Sequence, residues 1–205
     1  AEGVATDKGD RVSKEEFSRR YTEKSLPYSK AKFGALDNNV VTVGAMARYN
    51  IARENLHPVA LQLSQELGLG ERLYDRFQNN LAQAMELVHS IERAIDIIEN
   101  INLDAVKRFS VFPRAGNGVG ITEAPRGILM HQYELDENGK IRFVNIVTPT
   151  SINVASIESD LRTTLPNLNN KLNPYIASYI EMLIRAYDPC FSCSAHALKV
   201  KVEKS

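Results

Sequence analysis

Tryptophan is absent from these 205 residues, and cysteine occurs only twice. No apolar run approaches the ~20 residues that a membrane-spanning helix requires. An excess of one charge sign is also missing, because 25 Lys and Arg balance 25 Asp and Glu. That balance speaks against nucleic acid as a partner and against an acidic solvating tail. The opening residues, Ala1-Glu2-Gly3-Val4, have neither a basic start nor an apolar stretch, so no secretory signal is visible. With no initiator Met either, the chain reads as processed, trimmed or one piece of something longer. So few thiols argue against a disulfide-stapled secreted fold and favour a reducing, cytoplasmic setting.

What is present is ordinary for a globular protein: 43% apolar and 24% charged residues, with length enough for one sizeable core or a core with a lobe. Residues 1–40 read as irregular, with turn signals at Lys8-Gly9-Asp10 and Asp37-Asn38-Asn39. Val40-Val41-Thr42-Val43 reads as a short strand before Gly44. Pro58 to Leu67 carries a helical pattern, with Pro58 in the first turn and Gly68 and Gly70 closing it. From Glu71 to Asn100, Leu73, Phe77, Leu81, Met85, Val88, Ile91, Ile95 and Ile98 recur at threes and fours. This is the period of a long amphipathic helix, expected to lie centrally in the core.

Gly116-Asn117-Gly118-Val119-Gly120 reads as a flexible or tightly turned loop, and it lacks the strand and Lys-Ser/Thr of a phosphate loop. Ile128 to Leu135 and Ile141 to Val147 flank a link containing Asn138-Gly139, a strong hairpin signal. Helices follow from about Val154 to Leu165 and from Leu172 to Tyr187, the last stopped by Pro189. The expected class is α+β, mostly helical: a long central helix packed with other helices, plus a small antiparallel hairpin sheet, in one unit over residues 1–205.

Cys190 and Cys193, two residues apart, can turn both soft thiolates to one metal such as nickel, iron, zinc or copper(I). Two thiolates do not complete a tetrahedral site, so further ligands must come from elsewhere. His57, His89 and His131 are candidates by type alone, and His89 reads as structural. A thioredoxin-like dithiol needs its cysteines to open a helix after a strand. This pair follows a helix instead, so metal ligation leads, with a redox dithiol or an idle pair as alternatives.

The wider pattern Asp188-Pro189-Cys190-x-x-Cys193-x-x-His196 resembles the C-terminal signature of the large subunit of nickel–iron hydrogenases. Glu123-Ala124-Pro125-Arg126-Gly127-x-Leu129-x-His131 resembles that family's loop over the metal centre. Thr148-Pro149-Thr150-Ser151-Ile152-Asn153 resembles its segment around the iron's diatomic ligands. Val43-Gly44-Ala45-Met46-Ala47-Arg48-Tyr49-Asn50 is similar to a stretch in its cytosolic multi-subunit branch, the NAD(P)-, deazaflavin- or disulfide-reductase-linked enzymes.

The resemblance implies a nickel–iron centre with carbon monoxide and cyanide on iron, and H2 as substrate, cleaved reversibly and heterolytically. Cys190 would bind nickel terminally and Cys193 would bridge nickel and iron. Arg126 would project towards the open metal position, with Asp188 holding it. Thr150 would donate to a cyanide, while Pro149, Ala124 and Pro125 would wall the diatomic ligands. His196, with the backbone carbonyl of Ile146, would hold a magnesium or similar divalent ion. Electrons would leave through an iron–sulfur small subunit.

Two departures accompany the resemblance. The family's upstream Cys-x-x-Cys is missing, so a partner chain or lost segment is expected to supply it. Residues 197–205 follow His196, where family members are cut by an endopeptidase; their alternation suits an edge strand, and an uncleaved tail is expected to keep the site immature. Blander readings stand beside these roles. Arg126 would be a buried structural arginine, Asp188 a helix stop, and Thr150 and Ser151 N-caps. The alternative function is a non-catalytic hydrogenase-like scaffold or a zinc-binding module in a redox complex.

Overall fold

The computed structural model describes residues 3–102, 112–168 and 173–190. The first forty residues, expected to be irregular, instead build two ribbons. Strand β1 (Gly3–Ala5) pairs antiparallel with β2 (Arg11–Ser13), and β3 (Tyr21–Ser25) with β4 (Lys32–Leu36). Helix α1 (Lys14–Arg20) lies between them, its first turn capped where Ser13 accepts from the Glu16 N–H. Strands this short carry too little alternation to announce themselves.

The Gly116–Gly120 stretch is likewise a strand and not a loop. β5 (Gly116–Ala124) pairs with β6 (Gly127–Leu135), which pairs with β7 (Ile141–Val147), all antiparallel. Gly116, Gly118 and Gly120 share a face on which an added Cβ meets nothing within 4 Å. On the opposite face Val119 and Ile121 pack inward. The expected Asn138-Gly139 hairpin is present. Asp136 accepts from the Asn138 and Lys140 N–H groups, and Gly139 takes φ 75°.

Three further helices follow the sequence pattern with shifted ends, α3 (Pro58–Glu66), α5 (Pro149–Thr164) and α6 (Asn173–Ala186), whereas α2 (Ala45–Ala52) is not announced by that pattern. The long helix α4 (Asn79–Asn100) begins eight residues later than its apolar period suggests. Asp75 and Gln78 form a capping box around a 3-10 turn, Arg76–Gln78, which sets the start. Nor is α4 central to the core along its length. Ala82 and Met85 are buried, but Leu87 is 63% and Ile98 74% exposed. Helix α5 starts at Pro149, five residues before the expected position, because Thr148 is its N-cap and accepts from the Ser151 N–H. Thr150 and Ser151 thus lie inside the first turn. Among the described residues no helix is long and apolar enough to cross a membrane.

Two buried clusters hold these elements. One joins Phe17, Tyr21, Ile121, Ile128, Met130, Val147 and Ile152; the other joins Ala45, Met46, Tyr49, Leu69, Leu73, Ala82 and Met85. Full burial of side chains such as Met130 and Ile152, both 0% exposed, stabilises by about 1.5–3 kcal/mol each. Between the clusters runs Val40–Val43, expected as a strand but paired with no strand among the described residues. Three of its backbone groups pair with side chains of α5: Asn153 accepts from the Val43 N–H and donates to the Val43 carbonyl, and Ser156 donates to the Val41 carbonyl. Val43 leans on the first cluster and Ala45 belongs to the second, so this segment is the seam between them.

Candidate functional site

The seam carries the site. Strands β5 and β6 are joined by the two-residue turn Pro125-Arg126, with Ala124 opposite Gly127. Proline suits the first central position of such a turn because its φ is preset. Gly127 has φ 128°, and a Cβ there would meet Val43 Cγ2 at 2.4 Å. Gly44 has φ 117°, and its Cβ would sit 3.0 Å from the Arg126 carbonyl oxygen. Glycine at both positions lets the turn and the start of α2 pass in contact.

Residues 186–188, just beyond or at the end of α6, are held from two sides. Asn79 donates to the Ala186 carbonyl at 2.8 Å. The Tyr187 hydroxyl donates to Asp160 at 2.5 Å, and Arg76 both pairs with Asp160 and stacks 4.7 Å over the Tyr187 ring. Burial, only partly offset by the nearby Arg76 charge, drives the Tyr187 phenol well above its ordinary range. It is therefore a neutral donor. Asp188 follows in a left-handed conformation, φ 50°.

That backbone turns two acceptors of Asp188 towards Arg126. Arg126 Nε donates to the Asp188 carbonyl at 2.6 Å and lies 3.1 Å from Oδ2, while Nη2 donates to Oδ1 at 3.2 Å. Gln83 of α4 donates to Oδ2 at 3.3 Å. Both side chains are near 40% exposed, so as an ion pair alone the contact contributes at most about 1 kcal/mol. Its effect is directional: the planar guanidinium is fixed in orientation with a permanent charge. Thr150, 3% exposed, accepts from the Cys190 N–H at 3.2 Å. Arg126, Thr150 and the Asp188–Cys190 segment, distant from one another in sequence, are thus linked in space.

The other expected residues distribute unevenly. Pro149 is buried at the start of α5; Ala124 is half-buried and Pro125 exposed at the hairpin tip. Ile146 lies opposite His131 in the β6–β7 pairing, with its side chain 43% exposed. Cys193, His196 and the tail 197–205 lie outside the described residues. Among the described residues the histidines do not assemble a site. His89 accepts from the His57 N–H at 2.9 Å, as a structural reading requires, and His131 pairs with Tyr133 at 3.0 Å. Among the described residues no group of three His, Cys, Asp or Glu side chains is placed to hold a metal ion. Among the described residues Cys190 is the one cysteine, and in its reduced form it fits part of a thiolate-bound metal centre and not a whole one.

Sequence reasoning missed Arg48 and Asn153 as contributors. Both fall within the segments singled out, yet nothing in spacing reveals that they join distant elements. Arg48 contacts Glu86, Glu123 and the hairpin tip. Burial alone would lower its pKa, but Glu86 and Glu123 outweigh that and raise it.

The model of the nickel-dependent hydrogenase family matches residues 4–196. Sulfhydrogenase 2 subunit alpha of Pyrococcus furiosus is 34% identical over 183 residues, covering 87% of this chain and 44% of that protein. NAD-reducing hydrogenase HoxS subunit beta of Cupriavidus necator is 31% identical over 167 residues, covering 77% and 34%. The crystal structure of an NAD+-reducing nickel–iron hydrogenase in the H2-reduced state superposes with a TM-score of 0.78 at 25% identity, over 91% of this chain and 44% of that one. The chain spans less than half the length of these relatives. A match running from the first ribbon through the cysteine segment leaves one assignment: this chain belongs to the nickel-dependent hydrogenase family.

Proposed function

We propose that the chain contributes one half of the active centre of a nickel–iron hydrogenase catalytic subunit, which interconverts H2 with protons and electrons. The observation that carries this reading is the linkage of Arg126, Asp188, Cys190 and Thr150 at the seam. A scaffold without chemistry has no need for a half-exposed guanidinium fixed beside a cysteine segment.

Cys190 and Cys193 would hold nickel and iron, with a second Cys-x-x-Cys supplied by another chain or segment. When bound, the centre supplies the Lewis acidity that makes H2 acidic enough to split. Arg126 presents a positive charge and planar donors at that position. Asp188 orients it. Thr150, Pro149, Ala124 and Pro125 would surround carbon monoxide and cyanide on iron, with the Thr150 hydroxyl as the donor. His196 and the Ile146 carbonyl would hold magnesium. An iron–sulfur small subunit would take the electrons, since both thiols of this chain are used at the centre, in the reducing setting of the cytoplasm.

The test is to produce the chain anaerobically with the companion carrying the second cysteine pair, then measure metals, infrared spectrum and H2-dependent dye reduction. Nickel and iron together, carbon monoxide and cyanide bands, and H2-dependent reduction are expected. Zinc alone, or no metal and no turnover, would overturn the reading in favour of a scaffold or zinc module.

A further inference from the structure

Arg48 of α2 uses all five guanidinium N–H groups, the full donor capacity of the side chain. Nε and Nη2 grip Glu86 of α4 as a two-pronged fork, at 2.6 and 2.7 Å from its two oxygens. Nη1 donates to Glu123 at 2.6 Å and to the Ala124 carbonyl at 3.0 Å. The remaining Nη2 hydrogen goes to the Pro125 carbonyl at 2.7 Å. With 24% of the Arg48 side chain and 25% of Glu86 exposed, the fork is largely withdrawn from water, while the bonds to Glu123 and the Pro125 carbonyl reach the surface.

The Pro125 carbonyl belongs to the peptide that ends in the Arg126 nitrogen. The next peptide, whose carbonyl is that of Arg126, abuts Gly44. Gly44 and Arg48 are one helical turn apart, joined by the bond from the Arg48 N–H to the Gly44 carbonyl at 3.0 Å. Both peptide planes flanking the Arg126 Cα are therefore set by a single turn of α2. We infer that Arg48 is a positioning residue: braced by Glu86, it fixes the hairpin tip so that Arg126 meets Asp188. Lysine at this position keeps the charge but offers three donors from one point, which cannot span Glu86 and two successive carbonyls.

The inference deepens the hydrogenase reading and rests on it for its turnover measurement alone. The test compares the assembled enzyme with Arg48→Lys, Arg126→Lys and the double variant, using H2 oxidation and amide hydrogen exchange. Arg48→Lys is expected to lower kcat by about 10–100-fold, as loss of an outer partner of a metal site does, with KM for H2 little changed. Exchange in peptides covering 122–128 should quicken at least about tenfold relative to those of α6, following local opening of the tip. The double variant should turn over no more slowly than Arg126→Lys alone, because Arg48 acts through Arg126.

Glu123→Gln, at a half-exposed position, should leave the fold intact and quicken the same amides to a lesser degree. Unchanged exchange at 122–128 in both Arg48→Lys and Glu123→Gln overturns the inference, as does additive loss in the double variant. If the wild-type assembly neither binds nickel nor oxidises H2, the hydrogenase reading fails. The exchange comparison then still decides whether Arg48 fixes the tip.

Discussion

Replacing Asn153 by alanine tests the seam directly. Its side-chain amide copies what a neighbouring strand would offer Val43, accepting from the N–H at 2.9 Å and donating to the carbonyl at 3.1 Å. Asn153→Ala removes both partners at once and leaves two backbone groups to find water. Each lost bond costs about 1 kcal/mol net, and more where the group stays dry. Val43 is only half-buried, so water repairs part of the damage, and the expected loss is about 2–3 kcal/mol. For a domain of this size that lowers Tm by about 4–12 °C. Ser156→Ala removes the donor to the Val41 carbonyl and the acceptor of the Thr42 hydroxyl; that hydroxyl can rotate to another partner, so the cost should be about 1–2 kcal/mol, below that of Asn153→Ala. Asn167→Ala, which touches only exposed polar groups, should lie within about 0.5 kcal/mol of wild type. Chemical and thermal unfolding of the three variants give the comparison. A loss below about 0.5 kcal/mol in Asn153→Ala would show that the Val40–Val43 segment is held by something else, and the argument for the seam would fall.

Two further outcomes follow from the site. Asp188→Asn leaves the bond from Arg126 to the backbone carbonyl of residue 188 in place, so H2-dependent dye reduction should fall only about tenfold, whereas Arg126→Lys should lose about 100-fold or more; equal losses would show that the carbonyl contact does not orient the guanidinium. Tyr187 holds its proton more tightly folded than unfolded, so its contribution is intact below the ordinary phenol value near about 10 and drains as pH rises above it. Tyr187→Phe should therefore show a shallower fall of stability with pH in that range, and an unchanged slope in alkaline unfolding curves would refute the assignment.

How much of this was legible in the sequence varies by element. Helices α3, α5 and α6 and the Asn138-Gly139 hairpin were, because each carries a period or turn chemistry that operates locally. The start of α4 was masked by apolar residues 73 and 77 continuing its period into a segment that the Asp75 cap keeps out of the helix. Val40–Val43 has strand composition but α5 side chains as partners, and composition cannot tell which partner a backbone will find. Glycine alternation in β5 resembles a loop until its pairing with β6 is seen. At the site, residue types and order were legible as a family pattern, but Arg48 was not. Its partners lie 38 to 77 positions away, and no local rule connects them.

Position 188 illustrates what such a joint demands of a sequence. Its backbone is left-handed, a region most side chains enter only at a cost of about 1–3 kcal/mol, and the proline that follows narrows the choice further. Glycine would relax the backbone and remove the carboxylate; glutamate would keep the charge but not the tolerance for that conformation. Aspartate and, without charge, asparagine are the side chains that answer both demands. Among random replacements at this position, survivors should be scarce even where the fold is unharmed, since the residue is selected once for its peptide geometry and again for its anion.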